Sequence, residues 1–235
     1  MPRKANEIAK LSNAFSTGNG GANFERRIQT VFVLALLIDG FSPVLRLPVQ
    51  RIDFQAKHLG YDTDDLVVTA VHSHGSAKLL CQIKHDLSIT TGNSIFQEVF
   101  TAAWNDFCKA DFNRSVDKIA LITGFIAKES IRALRYIHEQ AMAALSAESY
   151  MDRIKQARFT SAATREKFEV IQSCLTKANN NSPVSDEDMW KFCRCFELVV
   201  FDIDYENSVN RILAESLIRC KSTQPAELVW SRLVD

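Results

Sequence analysis

The stretch 65–85, DLVVTAVHSHGSAKLLCQIKH, decides how this chain is read. Its halves, 65–71 (DLVVTAV) and 78–85 (KLLCQIKH), are β-branched or apolar runs, and residues 72–77 (HSHGSA) between them have the composition of a hairpin loop. The pattern predicts two antiparallel strands at the centre of a sheet. Alternation along the second strand sends Gln82 and Lys84 to one face and Ile83 to the other. A lysine inside an apolar strand is costly without a partner. In a hairpin the start of the first strand lies beside the end of the second, so Asp65 and Lys84 can meet. A carboxylate, the Gln82 side-chain oxygen and the Ile83 backbone carbonyl converging there form the open, oxygen-only site that suits Mg²⁺, with the Lys84 ammonium free to stabilise a hydroxide or a developing phosphorane charge. The chemistry implied is phosphodiester hydrolysis. Taken alone, the same residues also describe a cross-strand ion pair at a sheet end.

Working outward, residues 49–57 (VQRIDFQAK) set Ile52, Phe54 and Ala56 against Arg51, Asp53 and Gln55, the period of a half-exposed strand, which the loop 58–63 (HLGYDT) ends. Before it, Phe24, Ile28, Val31, Phe32, Ala35 and Leu36 follow helical spacing from Asn23 to Gly40, a C′ glycine. After the hairpin, Phe96, Val99, Phe100, Ala103, Trp104 and Phe107 make a wide apolar stripe on a helix over 95–112. Residues 117–123 (DKIALIT), closed by Gly124, read as a buried strand. The order is helix, three strands, helix, strand, in which the hairpin is antiparallel and the last crossover permits parallel pairing. The expected class is therefore α/β with a mixed sheet. Residues 128–196 are almost wholly helical, an insertion opened late on by Ser185 as an N-cap and broken by an NNNSP turn at 179–183. Residues 197–204 (ELVVFDID) return to strand, and two helices finish the chain. The whole of 1–235 reads as one domain: a flexible segment 1–19, a core 20–125, the helical insertion 128–196, and a closing strand and helices 197–235.

Composition narrows the function classes. With 46% hydrophobic and 24% charged residues, 235 residues can bury a sizeable core. Lys+Arg and Asp+Glu are 28 each, so no global basic field advertises a nucleic acid, and an anionic partner must be held locally. Six cysteines without a secretory leader predict reduced thiols and a cytoplasmic location. The longest apolar run, 31–38 (VFVLALLI), is far short of the roughly 20 residues that span a membrane, so none is expected as a partner.

In element order and motif together, the chain resembles the PD-(D/E)XK nuclease superfamily, whose core is α-β-β-β-α-β. The D…(E/Q)xK signature falls on Asp65 and on Gln82-Ile83-Lys84, with Gln82 in the place of the usual acid as in the Mrr-like branch. The opening Gly20-Gly21-Ala22-Asn23-Phe24-Glu25, the strand Asp64-Asp65-Leu66-Val67-Val68 and the strand Gln82-Ile83-Lys84-His85 look most like the double-stranded DNA endonuclease effector domains of bacterial anti-phage systems of the CBASS or STAND-ATPase kind. The resemblance covers roughly residues 20 to 125. It implies a restriction-endonuclease-like fold, Mg²⁺ (Mn²⁺ substituting), a double-stranded DNA substrate cut with little base specificity, and a fused or associated sensor or ATPase. It also places a glutamate of the first helix beside the metal, here Glu25. Because Gln82 removes one negative charge, a second carboxylate must help hold Mg²⁺, Glu25 first and Asp64 as the alternative. Alternation sends Asp64 and Asp65 to opposite sides, and Asp65 is favoured because it starts the apolar strand. Lys84 would activate and position the attacking water.

Arg26 and Arg27 beside Glu25, Lys57 and His58 ahead of Asp65, Lys78 on the hairpin and His85 after Lys84 are the candidates to touch a DNA backbone, against the plain reading of a solvated surface. So few contacts on a neutral chain favour binding by several copies at once, which predicts a homo-oligomer activated by assembly. A rival QxK, Gln55-Ala56-Lys57, sits on the amphipathic outer strand with only Asp39 upstream and is set aside. Cys193-Arg194-Cys195 lacks a second pair for zinc and reads as packing. The aromatic stripe reads as core rather than a base-stacking platform. The runner-up function is a nuclease-like module without catalysis that binds nucleic acid or assembles a larger machine, and an RNA target stays open.

Overall fold

The computed structural model describes residues 20–73 and 75–235. The expectations placed on residues 1–19 and on residue 74 of the hairpin loop lie outside the described residues.

Five strands form one mixed sheet in chain order: β1 (Val49–Phe54), β2 (Leu66–His72), β3 (Gly75–Asp86), β4 (Lys118–Phe125) and β5 (Phe196–Val200). The first two pairings are antiparallel and the last two parallel. Helix α1 (Gly20–Leu37) precedes β1, and α2 (Ser94–Phe107) crosses from β3 to β4. Four helices, α3 (Lys128–Ala143), α4 (Ala147–Lys155), α5 (Ala162–Ala178) and α6 (Asp186–Cys195), lie between β4 and β5, and α7 (Val209–Lys221) and α8 (Ala226–Val234) follow. The helix, three strands, helix, strand order read from the sequence is found.

Strand alternation distributes the core over both faces. Leu79, Cys81 and Ile83 of β3 join Phe24, Ile28 and Phe32 of α1 and Ala214, Ile218 and Trp230 of α7 and α8 in one cluster. Leu80, Val67 and Leu121 point the other way, into a larger cluster with α2 to α6. The sheet is thus sealed on one side by α2 to α6 and on the other by α1, α7 and α8. Phe96, Phe100, Trp104 and Phe107 are all in the larger cluster, where Phe100 lies 4.7 Å from the Phe196 ring, so the stripe is core as expected. Cys193 and Cys195 are buried free thiols. No helix among the described residues is long and apolar enough to cross a membrane.

Element ends differ from the sequence reading for local reasons. The ladder of the hairpin continues to His72↔Gly75, so the strands run further than the expected loop 72–77 allowed. Helix α1 stops at Leu37, and the left-handed residue is Asp39 (φ 55), not Gly40. Asp39 N–H donates to Leu36 O and Gly40 N–H to Ala35 O at 2.7 Å, the paired bonds of a Schellman end, which a short polar side chain tolerates. Helix α2 ends at Phe107 rather than 112, turning over through the Lys109 N–H bond to Asp106 O so that Phe112 folds back into the core. β1 ends at Phe54, because Gln55 adopts φ 48, ψ 53 and residues Ala56–Leu59 coil into a 3₁₀ turn, so the expected strand 49–57 loses its last three residues. β5 gives out at Val200: Phe201 N–H makes a last bond to Thr123 O at 2.8 Å, and Phe201 and Ile203 leave the sheet for the α1 side.

Candidate active site

The antiparallel register sets Leu66 opposite Cys81, so Asp65, one residue before β2, lies across from Gln82. Its carboxylate is the focus of the site. Gln82 Nε2 donates to Asp65 Oδ2 at 2.5 Å, the Ile83 backbone N–H donates to the same oxygen at 2.7 Å, and Lys84 Nζ stands 3.7 Å from it. All three donors address Oδ2; among the described residues none is bonded to Oδ1. Asp65 is 9% exposed and Gln82 8%, whereas about a third of the Lys84 side chain meets solvent. The arrangement is a buried carboxylate with an ammonium at its open edge.

Glu25 of α1 lies near enough for its charge and that of Asp65 to act on each other. It sits in the second turn of α1, and its Oε1 accepts from Gln55 Nε2 at 2.8 Å and from Gln29 Nε2 at 3.0 Å. Gln29 also donates to the Asp65 backbone carbonyl at 3.3 Å, which ties α1 to the start of β2. Phe24 beside Glu25 fits because residue 124 is glycine: a Cβ there would come within 2.9 Å of the Phe24 ring. Glu25, Asp65, Gln82, Ile83 and Lys84 are therefore brought together.

The electrostatics of the pair are uniform in direction. Burial pushes the Asp65 carboxyl above its ordinary value, against the pull of Lys84, with the Ile83 N–H and Gln82 also lowering it and Asp64 adding to the push. Burial also raises Glu25, and the Asp65 charge raises it further, while Lys84, Gln55 and Gln29 oppose. Lys84 is the one cation acting on both. Two desolvated carboxyls sharing one ammonium have capacity for further positive charge. Asp64 acts on Asp65 through its charge alone, and its backbone carbonyl accepts from Ala56 N–H at 2.7 Å. No group of three or more His, Cys, Asp or Glu among the described residues could hold a metal ion. A divalent cation here would have two carboxylates and an amide oxygen, a set that suits Mg²⁺, which usually takes one or two carboxylates and fills its remaining positions with water or substrate phosphate.

The basic candidates separate. Arg26 is exposed on α1, and Lys57 and His58 are exposed on the 3₁₀ turn that follows Gln55. Arg27 NH1 pairs with Asp204 Oδ1 at 3.0 Å, and His85 Nε2 lies 2.8 Å from Asp204 Oδ2. Lys78 is at the other end of β3, roughly 20 Å away along the strand, where it bonds Tyr61 and Asp111.

Three residues of this region escaped the sequence reading. Gln29 carried a signal, since it lies one helical turn after Glu25. Gln55 belonged to the discarded QxK, yet its left-handed backbone turns the side chain to Glu25. Asp204 lies after β5, and nothing local marks it as the partner of Arg27 and His85. Comparison with protein-family models, curated proteins and solved structures returns no match to this chain.

Proposed function

We propose that the chain is a Mg²⁺-dependent endonuclease of the PD-(D/E)XK kind, hydrolysing phosphodiester bonds of double-stranded DNA with little base specificity. The observation that carries this reading is the convergence of Gln82, Ile83 and Lys84 on Asp65 Oδ2 across two adjacent strands, with Glu25 tethered beside them. Glu25, Asp65, the Gln82 side-chain oxygen and the Ile83 carbonyl would hold Mg²⁺. When bound, the ion supplies Lewis-acid stabilisation of the phosphorane charge and eases deprotonation of water. Gln29 and Gln55 hold Glu25 by one oxygen. The Lys84 ammonium makes no hydrogen bond among the described residues, so its protons are available to orient water or to neutralise a phosphate oxygen. Arg26 and Lys57 are exposed cations, and His58 an exposed imidazole, on the elements that carry Glu25 and Gln55, and they would meet the DNA backbone.

The resemblance extends the proposal to an effector domain of a bacterial anti-phage system, switched on when a sensor or ATPase module gathers several copies. The second reading, a nuclease-like module without catalysis, draws on the Gln82 Nε2 bond to Asp65, in which Gln82 serves the carboxylate as donor. Incubating the purified chain with plasmid and linear DNA, in Mg²⁺ or EDTA, separates them. Cutting that needs Mg²⁺ and disappears in Lys84→Ala is the expected result. Intact DNA at every protein concentration, together with no Mn²⁺ binding that Asp65→Asn removes, would leave the non-catalytic reading.

A further inference from the structure

A cleft of about 700 Å³ opens where β4 and β5 begin, a size that suits a small molecule. In the β3–β4 register Leu79 lies beside Lys118 and Lys84 beside Thr123, so the cleft is roughly 16 Å along the sheet from the candidate active site. Three elements each bring it a cation: the loop before β1 brings Arg46, the start of β4 Lys118, and α3 Arg135. Among the described residues Arg46 and Arg135 make no side-chain hydrogen bond or ion pair. Arg135 does not take Glu139, one helical turn on, although that spacing favours a surface pair. Lys118 Nζ gives one of its three protons to the Arg194 carbonyl at 2.7 Å, and Glu197 acts on it through charge alone, against burial that pushes the ammonium down. Arg46 is held at φ 54 by a turn in which its N–H donates to Ser42 O at 2.8 Å and Ser42 N–H donates to Leu47 O at 2.9 Å. A long side chain rarely adopts that backbone, and strain of this kind gathers at ligand clamps.

The rest of the lining divides by chemistry. Glu139 and Glu197 are carboxylates without an ion pair among the described residues, and Val44 and Met142 are an apolar part of the wall. His138 Nδ1 lies 3.0 Å from the Cys193 carbonyl and 3.1 Å from the Phe196 carbonyl, so Nδ1 carries the proton and Nε2 of the neutral ring is an acceptor. Three cations against two carboxylates leave the cleft positive, with acceptors and apolar surface beside the charge. We propose that this cleft binds an organic phosphate of nucleotide size, at a site separate from Asp65. The phosphate lies among Arg46, Lys118 and Arg135: guanidinium forks match its oxygens, and its near-double negative charge suits several cations at once. A bare phosphate fits less well, because Glu139 and Glu197 would then face an anion. The amino group of a base or the hydroxyls of a sugar give those carboxylates donors, and Val44 and Met142 cover the apolar part of the same body. The inference does not depend on the chemistry at Asp65.

Calorimetric titration of the whole chain tests it, with AMP, CMP, inorganic phosphate and adenosine as probes and with EDTA present to keep metal out of the Asp65 site. The expected result is one nucleotide bound per chain, about tenfold or more tighter than phosphate or adenosine, and weakened about tenfold or more by Arg135→Ala and by Arg46→Gly. Both variants should fold, since Arg135 is exposed on α3 and glycine suits the left-handed turn better than arginine does. Arg132→Ala makes the same change of charge on α3 outside the cleft and should leave binding as it is. No saturable binding of either nucleotide would overturn the proposal, and so would phosphate binding as tightly as the nucleotides. Equal losses in Arg132→Ala and Arg135→Ala would overturn it too, because the cations would then act only as diffuse surface charge.

Discussion

Lys78 and Lys84 leave the same strand on the same face, and the structure treats them in opposite ways. Lys78 Nζ has three acceptors, the Tyr61 hydroxyl at 3.1 Å, the Asp111 carbonyl at 3.0 Å and Asp111 Oδ2 at 3.1 Å, one for each of its protons. Lys84 is 3.7 Å from Asp65, close enough for attraction and too far for a hydrogen bond. The aspartates repeat the contrast. Asp106, fully buried, accepts from Asp62 N–H at 3.0 Å, Thr63 N–H at 2.6 Å and Lys109 at 2.5 Å, and holds the loop after the 3₁₀ turn in place. Asp65 has its donors crowded on one oxygen and a carboxyl raised by burial. One end of β3 is finished as structure, and the other is left with unspent hydrogen-bonding and charge capacity. That asymmetry locates the candidate site without reference to any relative.

The comparison can be broken at four points, taken from the largest effect down. Lys84→Ala should lower Mg²⁺-dependent DNA cleavage by about 10²–10³-fold in a chain that still folds, while Lys78→Ala leaves the cleavage rate alone. Equal losses in the two variants would dissolve the contrast. Asp106→Ala strands two backbone N–H groups and the Lys109 ammonium and should cost about 3 kcal/mol in urea unfolding. Lys78→Ala removes a pair whose acid is largely solvent-exposed and should cost about 1 kcal/mol. The smallest effect is in pH. Because Asp65 and Glu25 are raised in the folded chain, the stability they contribute is complete below the ordinary carboxyl range and is lost as pH rises through their folded values. Asp65→Asn should therefore melt higher than wild type at neutral pH, by about 2–4 °C if it recovers about 1 kcal/mol. That advantage should shrink toward acid pH, and added Mg²⁺ should raise the melting temperature of wild type only. A variant that melts lower at pH 7 would mean that the Asp65 charge is a net stabiliser.

The hairpin and the Asp65, Gln82, Lys84 set were legible because two rules fix them: alternation puts Gln82 and Lys84 together, and antiparallel register brings Asp65 across. Glu25 was reached only through resemblance, since its place depends on how α1 lies across the sheet, which no local pattern records. Gln55 was hidden by a period that runs on through residue 57, while the chain turns left-handed at that residue. Asp204 was out of reach because its partners lie 177 and 119 residues earlier in the chain. Helix ends slipped where a side chain or a non-glycine left-handed residue did the stopping, as at Asp39 and around Asp106. Periodicity reports which face is buried, and says little about where a backbone chooses to turn.

The layer that holds Glu25 is built from the two extremes of the sequence. Thr30 of α1 donates to the Leu233 carbonyl, and Arg27 pairs with Asp204. On a ribosome, α1 emerges before the sheet and its packing partners α7 and α8 emerge after it, so this face of the sheet stays open until they have been made. Asp65, Gln82 and Lys84 can take their places as soon as β2 and β3 pair, well before that layer closes. The candidate site is thus timed by the order of translation: a nascent chain carries Asp65 and Lys84 before α7 and α8 are made, and the helix bearing Glu25 gains its full support only when those two helices arrive.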